Sequence, residues 1–501
     1  MSEALVQSML AGKGFATPPS DIQLVETHIS WIVLADDHVY KLKKPVDLGF
    51  VDFSTLPRRK HFCEEELRLN RRAAPDIYLD IIPISGSETA PAIGDDSAPF
   101  AYALRMRRFD QDGILDNLAR RGELDADVTS KLAAAIANFH KSIDGEATSF
   151  PFDDVVEHNW KPVETVLNRL NSLVASNDER KALDRLRRWC TDEWERLRDT
   201  FRLRLDQGFV RECHGDLHLA NILYERDRCI PFDCLEFDPG LRWIDTASDL
   251  AFTVMDLDAH GLHEHSRQLL VEYLEHTGDY ELLDLLRYYL VYRALVRAMV
   301  DAIRSTQDES HARELHRECD NYLQMALEYT EPGRTALVMM CGFSGTGKTT
   351  IARHLATRIN AIQIRSDVER KRLFGVGLQE SSHDHNIDIY TEAADKRTFA
   401  YLEKLAENIC RSHYPVLVDA TFIDIDVRRQ FESLADRLGI PWSIVFCDAS
   451  PDTVAERLQQ RRGDASEAGI RQYESQREAF CEFDSREAQH VITVDTECAQ
   501  S

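Results

Sequence analysis

The sequence predicts an α+β region of two lobes followed by an α/β domain built on a parallel sheet. Three observations carry this. Residues 22–51 are β-rich and alternate apolar with polar positions (IQLVE, ISWIVLA, HVYKLKKPV). Residues 111–204 and about 245–330 read with helical periodicity, as in KLAAAIANFHKSI and ALDRLRRWCTDEWERLR. Beyond Glu331-Pro332-Gly333 the apolar run TALVMMCGF opens an alternation of strands and helices that continues to the end.

In order along the chain, Asp36-Asp37 between two β-rich runs reads as a hairpin turn, and 58–74 as a helix with Cys63 and Leu67 on one face. IYLDIIPI (77–84) and FAYALRMRRF (100–109) are strand-like, and the Pro-, Gly- and Asp-bearing stretch 91–99 reads as a turn. This gives a small β-rich lobe over 1–110, a helical lobe over 111–330 interrupted by a β-rich island at 209–237, and a third domain over 335–501. The length of 501 residues suits about three globular units.

Composition bounds the function. With 43% hydrophobic and 29% charged residues, ordinary packed cores are expected. A net charge of −26 argues against coating duplex nucleic acid, which rests on phosphate neutralisation. A nucleotide or an RNA end in a local basic pocket stays compatible with it. The 11 cysteines are scattered with no CxxC pair, which fits a reducing compartment. The N-terminus lacks a signal-peptide pattern, and the most apolar helical stretch, 281–304, is broken by Arg287, Arg293 and Arg297. A cytoplasmic protein without membrane spans is expected.

The sharpest motif is Gly342-Phe343-Ser344-Gly345-Thr346-Gly347-Lys348-Thr349, followed by Thr350. It matches G-x-x-x-x-G-K-[ST], follows an apolar strand and leads into the amphipathic IARHLATRI. Backbone N–H groups of such a loop curl round phosphates, and the helix N-terminus adds a positive dipole end. Lys348 is expected on the β- and γ-phosphates of ATP and Thr349 on Mg²⁺, with Asp419, at the end of YPVLVDATF, as second support for the metal. Downstream of the next strand, Arg365-Ser366-Asp367-Val368-Glu369-Arg370 resembles the D-x-x-R of polynucleotide-kinase-like and gluconate-kinase-like P-loop kinases. That resemblance implies Asp367 as base on the acceptor hydroxyl and Arg370 as holder of an acceptor phosphate. Arg457 and Arg461, four apart on one helical face, resemble the lid arginines of the same family.

A second constellation lies in CHGDLHLANILYERDRCIPFDCLEFD, at 213–238. His214-Gly215-Asp216 and Asn221 have the spacing of a kinase catalytic loop, and a short apolar strand then ends in Asp233. One carboxylate near an acceptor hydroxyl, with an Asn and a second carboxylate on metal, is a phosphoryl-transfer set. H-G-D-L-H-x-x-N-[IV]-L resembles the aminoglycoside phosphotransferase family, also seen in choline and homoserine kinases. The resemblance implies Asp216 as base, Asn221 and Asp233 as Mg²⁺ ligands, His214 as a brace and Asp249 as a support of the loop. Glu236 and Asp238 lie near enough in sequence to assist the metal. The small lobe should supply a strand Lys and a helix Glu: Lys41 or Lys43, and Glu66 or Glu65. The stretch 25–31, VETHISW, holds no Gly-rich loop.

The whole chain therefore resembles an aminoglycoside-phosphotransferase-like domain fused to a P-loop domain. The implied fold is an α+β kinase-like bilobal domain followed by an α/β P-loop domain with a parallel sheet. The implied activity is ATP- and Mg²⁺-dependent phosphoryl transfer at two nucleotide sites to the hydroxyl of an unidentified small molecule. A P-loop kinase regulated by a catalytically weak kinase-like module, and a toxin-like or nucleotide-sensing interaction protein, are the other readings.

Overall fold

Alternating residues at the N-terminus fold into a six-stranded antiparallel sheet: β1 (Ile22–Glu26), β2 (Ser30–Ala35), β3 (His38–Lys43), β4 (Tyr78–Ser87), β5 (Ala90–Ile93) and β6 (Ala101–Arg107), in the order β1-β2-β3-β6-β4-β5. The computed structural model describes every residue except 1–2, 50, 144–153, 175, 309, 379, 381–387, 461–468 and 498–501. Ala35 faces His38 across the two-residue turn, where Asp36 takes φ +48°. Aspartate tolerates that conformation, and its carboxylate accepts from the Ser20 and Asp21 amides at 3.0 Å. Two elements differ from expectation. The stretch read as a turn at 91–99 begins with β5, an edge strand where Pro91 forfeits no ladder bond. A helix, Glu3–Leu10, also buries Leu5, Val6 and Met9 against Trp31, Val33 and Leu42.

The helix between β3 and β4 runs Leu56–Asn70, starting at the Thr55 cap rather than at 58. Its buried residues are Arg59, Cys63, Glu66, Leu69 and Asn70, so Glu66 is the one carboxylate on the buried face. The island in the helical region supplies β7 (Val210–Glu212), β8 (Ile222–Glu225), β9 (Arg228–Pro231) and β10 (Trp243–Asp245) as two short antiparallel pairs, β7 with β10 and β8 with β9.

The chain packs as two compact units. Met1–Leu262 belongs with Tyr288–Ala326, and His263–Arg287 belongs with Leu327–Ser501. The helical stretch 111–330 is therefore shared: residues 263–287 group with the C-terminal sheet. That sheet has five parallel strands, β11 (Leu337–Cys341), β12 (Ile362–Arg365), β13 (Val416–Asp419), β14 (Trp442–Asp448) and β15 (Val491–Asp495), in the order β12-β13-β11-β14-β15. β11 and β13 are buried throughout, which is why they read as nearly continuous apolar runs rather than alternating ones; β12 is equally buried but carries Gln363 and Arg365.

The segment 263–287 is bound to the C-terminal unit by polar contacts on the helix Ser366–Leu373. Tyr280 donates its hydroxyl to Glu369 Oε1 at 2.9 Å, and Arg372 donates to the Glu275 carbonyl at 2.6 Å and to Glu369 Oε2 at 3.0 Å. Glu369 is fully buried, so losing a donor leaves its charge under-solvated. Tyr280→Phe is expected to lower the stability of the C-terminal unit by about 1.5–3 kcal/mol, the range for a hydrogen bond to a charged group. Urea unfolding of the full chain, followed by hydrogen exchange in β11–β13, measures it.

Candidate active sites

In the first unit the site is organised by Glu66. Lys41 and Lys43 lie two apart on β3 and so point the same way. Lys41 Nζ donates to Glu66 Oε1 and Lys43 Nζ to Glu66 Oε2, each at 2.7 Å. Lys43 continues to Glu236, and Lys41 reaches Asp233 Oδ1 at 2.7 Å. The two lysines are thus distinguished by their second partner. Lys41 keeps 14% exposure; Lys43, at 1%, is sealed against Glu236. Glu65 faces away, to Arg68 at 2.8 Å and Arg242 at 3.2 Å. Glu236 is a buried partner of Lys43 rather than a group beside the metal position, and Asp238 caps the Gly240 amide at 2.8 Å.

Burial opposes the charge on Glu66, but Lys41 and Lys43 outweigh it and hold its carboxyl at about 2. Burial likewise opposes the Lys41 charge, and Asp233 and Glu66 overcome it, raising its pKa. The same helix reaches the metal-strand loop: Asn70 accepts the Cys234 amide at 2.8 Å, beside Asp233, which takes φ +59° and donates its own amide to the Tyr78 hydroxyl at 3.0 Å.

The catalytic-loop residues converge. Asn221 Nδ2 donates to Asp216 Oδ2 at 3.0 Å and to the Asp216 carbonyl at 2.9 Å, which leaves Asn221 Oδ1 as an oxygen donor. His214 Nε2 bonds the Phe232 carbonyl at 2.9 Å, tying this loop to the end of β9 just before Asp233. Burial lowers the His214 pKa, so the ring is neutral and that bond is an N–H donation. Asp249 is wholly buried and accepts the His214 and Gly215 amides at 3.0 and 2.9 Å, with His140 Nε2 at 3.1 Å. Gly215 takes φ +85°, and a Cβ there would lie 3.0 Å from the Leu241 carbonyl. His140, Cys213 and Asp249 bring ligand-type atoms within 4.8 Å. Both Asp249 oxygens already serve amides, so the cluster reads as a brace for the loop.

Sequence reasoning missed His218, whose Nε2 lies 3.4 Å from Asp216 Oδ2. Burial pushes the Asp216 pKa up, but His218, by charge and hydrogen bond, outweighs it and keeps the carboxylate ionised. The second histidine of H-G-D-L-H was the available signal. The β1–β2 connection, Thr27–Ile29, is a tight turn in which the Thr27 amide meets the Ser30 carbonyl at 2.9 Å. It offers no glycine loop, as the sequence indicated.

In the second unit the loop Gly342–Thr349 joins β11 to the helix Lys348–Arg358. Gly342, Gly345 and Gly347 all take positive φ, and a Cβ on Gly342 would sit 2.5 Å from the Cys447 carbonyl. Lys348 Nζ donates to the Phe343 carbonyl at 2.7 Å, and the Ser344 amide donates to Gln476 Oε1 at 2.8 Å. Asp419 stands beside Met340 in the neighbouring strand and accepts from Gln363 at 3.1 Å. Burial raises the Asp419 pKa against the pull of Arg365 and Lys348, and burial lowers that of Lys348. The Thr349 hydroxyl and the Asp419 carboxylate are hard oxygen donors that fit Mg²⁺, as do Asn221 Oδ1 and Asp233 in the first unit.

Thr350, Asp367, Arg370 and Arg457 line, with the P-loop, a cavity of about 1030 Å³. Both of these arginines also have partners within the protein. Arg370 is buried against Asp395 at 2.7 Å and the Ile389 carbonyl at 2.7 Å, with its guanidinium over the Tyr390 ring. Asp395 balances the Arg370 charge, while Arg370 Nε is buried without a hydrogen-bond partner among the described residues and the side chain stays in the cavity lining. Arg457 donates to Thr496 Oγ1 and to the Thr496 carbonyl at 2.9 and 3.0 Å, because β15 ends beside the loop. Arg461 lies outside the described residues. Thr496, Gln363 and Gln476 come from distant sequence and carry no motif.

The depressed Glu66 pKa has a definite consequence. The unfolded chain protonates this carboxyl near its ordinary value of 4.5, the folded chain at about 2. Between these the unfolded state binds more protons, so the Glu66 contribution is present above pH 4.5 and is lost as pH falls towards 2. Unfolding of wild type and Glu66→Gln across that window is expected to show a stability difference that shrinks as pH falls. A pH-independent difference would contradict the ion-cluster assignment.

Residues 92–286 match the model of the phosphotransferase enzyme family (APH), and residues 337–483 match that of an AAA domain. Uncharacterized proteins of Mycobacterium tuberculosis (H37Rv) and Mycobacterium bovis are 28% identical over 451 residues, covering 89% of this chain and 88% of theirs. A choline/ethanolamine kinase family protein from Mesorhizobium loti is similar in structure at 11% identity and TM-score 0.40, covering 71% of this chain and 100% of that one. A gluconokinase from Sinorhizobium meliloti 1021 is similar at 20% identity and TM-score 0.23, covering 33% of this chain and 82% of that one. The chain thus joins a kinase-type domain of the phosphotransferase enzyme family to a P-loop domain of the AAA type.

Proposed function

We propose that the protein is an ATP- and Mg²⁺-dependent phosphotransferase with two nucleotide sites, each passing a γ-phosphoryl group to an alcohol. The single observation that carries this is the convergence of Lys41, Glu66 and Asp233 with Asp216 and Asn221, matched by a complete strand–loop–helix phosphate cradle in the second unit. In the first unit Lys41 holds nucleotide phosphate and Glu66 holds Lys41. Asp216 accepts the acceptor proton as the new P–O bond forms and the bond to the ADP oxygen breaks. His218 keeps Asp216 ionised for that step. In the second unit the loop amides and Lys348 hold the phosphates, and Asp367 takes the proton. Mg²⁺ held by Asn221 and Asp233, and by Thr349 and Asp419, supplies charge neutralisation at the phosphates.

The acceptors are small hydroxyl compounds, with a nucleotide or RNA end a second class for the P-loop unit; duplex nucleic acid and membrane are not partners. Ten described cysteines are free thiols, which supports a reducing, cytoplasmic setting. No helix among the described residues is long and apolar enough to cross a membrane. A second reading, a regulatory kinase-like module, is favoured by the glycine-free β1–β2 turn and by Lys41 resting on Asp233.

Separate mutations test the two sites in the full chain. Lys348→Ala is expected to abolish one class of ATP sites and Asp233→Ala the other, read by calorimetry with Mg²⁺. Asp216→Asn should keep nucleotide affinity and lower transfer about 10²–10⁴-fold, the range for loss of a general base. Metabolite extract with ATP and mass spectrometry of products reads the transfer. If Asp233→Ala leaves metal-dependent binding intact, the first site is not an enzyme site.

A further inference from the structure

The helix Ile470–Ala479 is placed by an aromatic cluster. Tyr473 and Phe480 meet the Phe343 ring edge-on, at 5.9 and 5.6 Å between centroids. Residues three and four apart share a helical face, so Gln476 is delivered to the loop by the same packing. Its Oε1 accepts the Ser344 N–H at 2.8 Å. The other end of that peptide, the Phe343 carbonyl, accepts Lys348 Nζ at 2.7 Å and Thr346 Oγ1 at 2.8 Å. One peptide unit of the P-loop is therefore occupied at both ends by side chains.

The position of this peptide identifies what it serves. In a P-loop the lysine reaches the β- and γ-phosphates, and Lys348 lies on this peptide. The N–H groups of the loop cradle phosphates, and the Ser344 amide belongs to the peptide that Lys348 bonds. A neutral carboxamide oxygen thus occupies an N–H that a γ-phosphate oxygen would claim. Charge-assisted bonds are roughly twice as strong as neutral ones, so the phosphate displaces the amide.

We propose that Gln476 is a nucleotide-selecting residue: its carboxamide oxygen holds the Ser344 amide and competes for it with the third phosphate. Occupancy of that position is thereby coupled to the helix Ile470–Ala479, which lines the same cavity. The inference rests on the P-loop unit being an ATP site.

The test is calorimetry of the full-length chain with Mg²⁺ and ATP or ADP, taking as the P-loop site the binding component that Lys348→Ala removes. Gln476→Ala should tighten ATP binding about five-fold, the equivalent of one net hydrogen bond of competition, and move ADP less than about two-fold on the same scale. Gln476→Met, of equal length without the amide, should give the same gain, which guards against a folding defect in the alanine variant. Gln476→Glu should weaken ATP at least about ten-fold, since a carboxylate would face the phosphate. Unchanged or weaker ATP binding in Gln476→Ala and Gln476→Met, or equal gains for ATP and ADP, overturns the proposal alone. A wild-type chain with no Lys348-dependent component overturns the nucleotide-site reading, and the proposal with it.

Discussion

A single buried carboxylate, Glu66, fixes the geometry of the first unit. It is fully buried on its helix, and it accepts two ammonium groups from one strand. A charge in that position is tolerable only when paired and hydrogen-bonded. Removing one partner of such a pair is strongly destabilising, even though the pair contributes little net stability. The cluster therefore acts through geometry. Lys43 and Glu236 anchor the strand to the segment after β9, and Lys41 is left bridging Glu66 and Asp233. Strand, helix and loop cannot shift independently without exposing an unpaired charge.

The catalytic loop is held by a second buried carboxylate of another kind. Asp249 has no lysine or arginine partner among the described residues; it serves two backbone amides and one imidazole. Those amides belong to His214 and Gly215, directly before Asp216. Arg293 donates to the Gly215 carbonyl at 3.1 Å from the opposite side. The loop's shape is set by backbone bonds, which frees Asp216 and Asn221 to present side-chain oxygens.

The P-loop unit solves the same positioning problem with glycine and strand register. β13 beside β11 puts Asp419 level with Met340, two residues before the cradle begins. Both strands are buried along their length, and the carboxylate ends β13 in the wall of the cavity. Segment 263–287 then fixes the helix that carries Asp367, through Glu369 and Arg372. That helix depends on residues far upstream of the apparent domain start.

The features legible along the chain are local ones. The P-loop, the H-G-D…N spacing and the strand ending in Asp233 are short runs in which residue type and spacing follow from neighbouring backbone. They identified Lys348, Thr349, Asp216, Asn221 and Asp233, and the structure brings those of each unit together. Whatever depends on long-range partners waited for the folded chain. Lys41 and Lys43 alternate identically along β3, so only Asp233 and Glu236 distinguish them. Glu65 and Glu66 differ by one helical step, and the burial of one face chooses between them. The protein partners of Arg370 and Arg457 were illegible because Asp395 and Thr496 are distant in sequence. The edge strand β5 and the helix Glu3–Leu10 were illegible because a short segment's state is set by the surface it packs on.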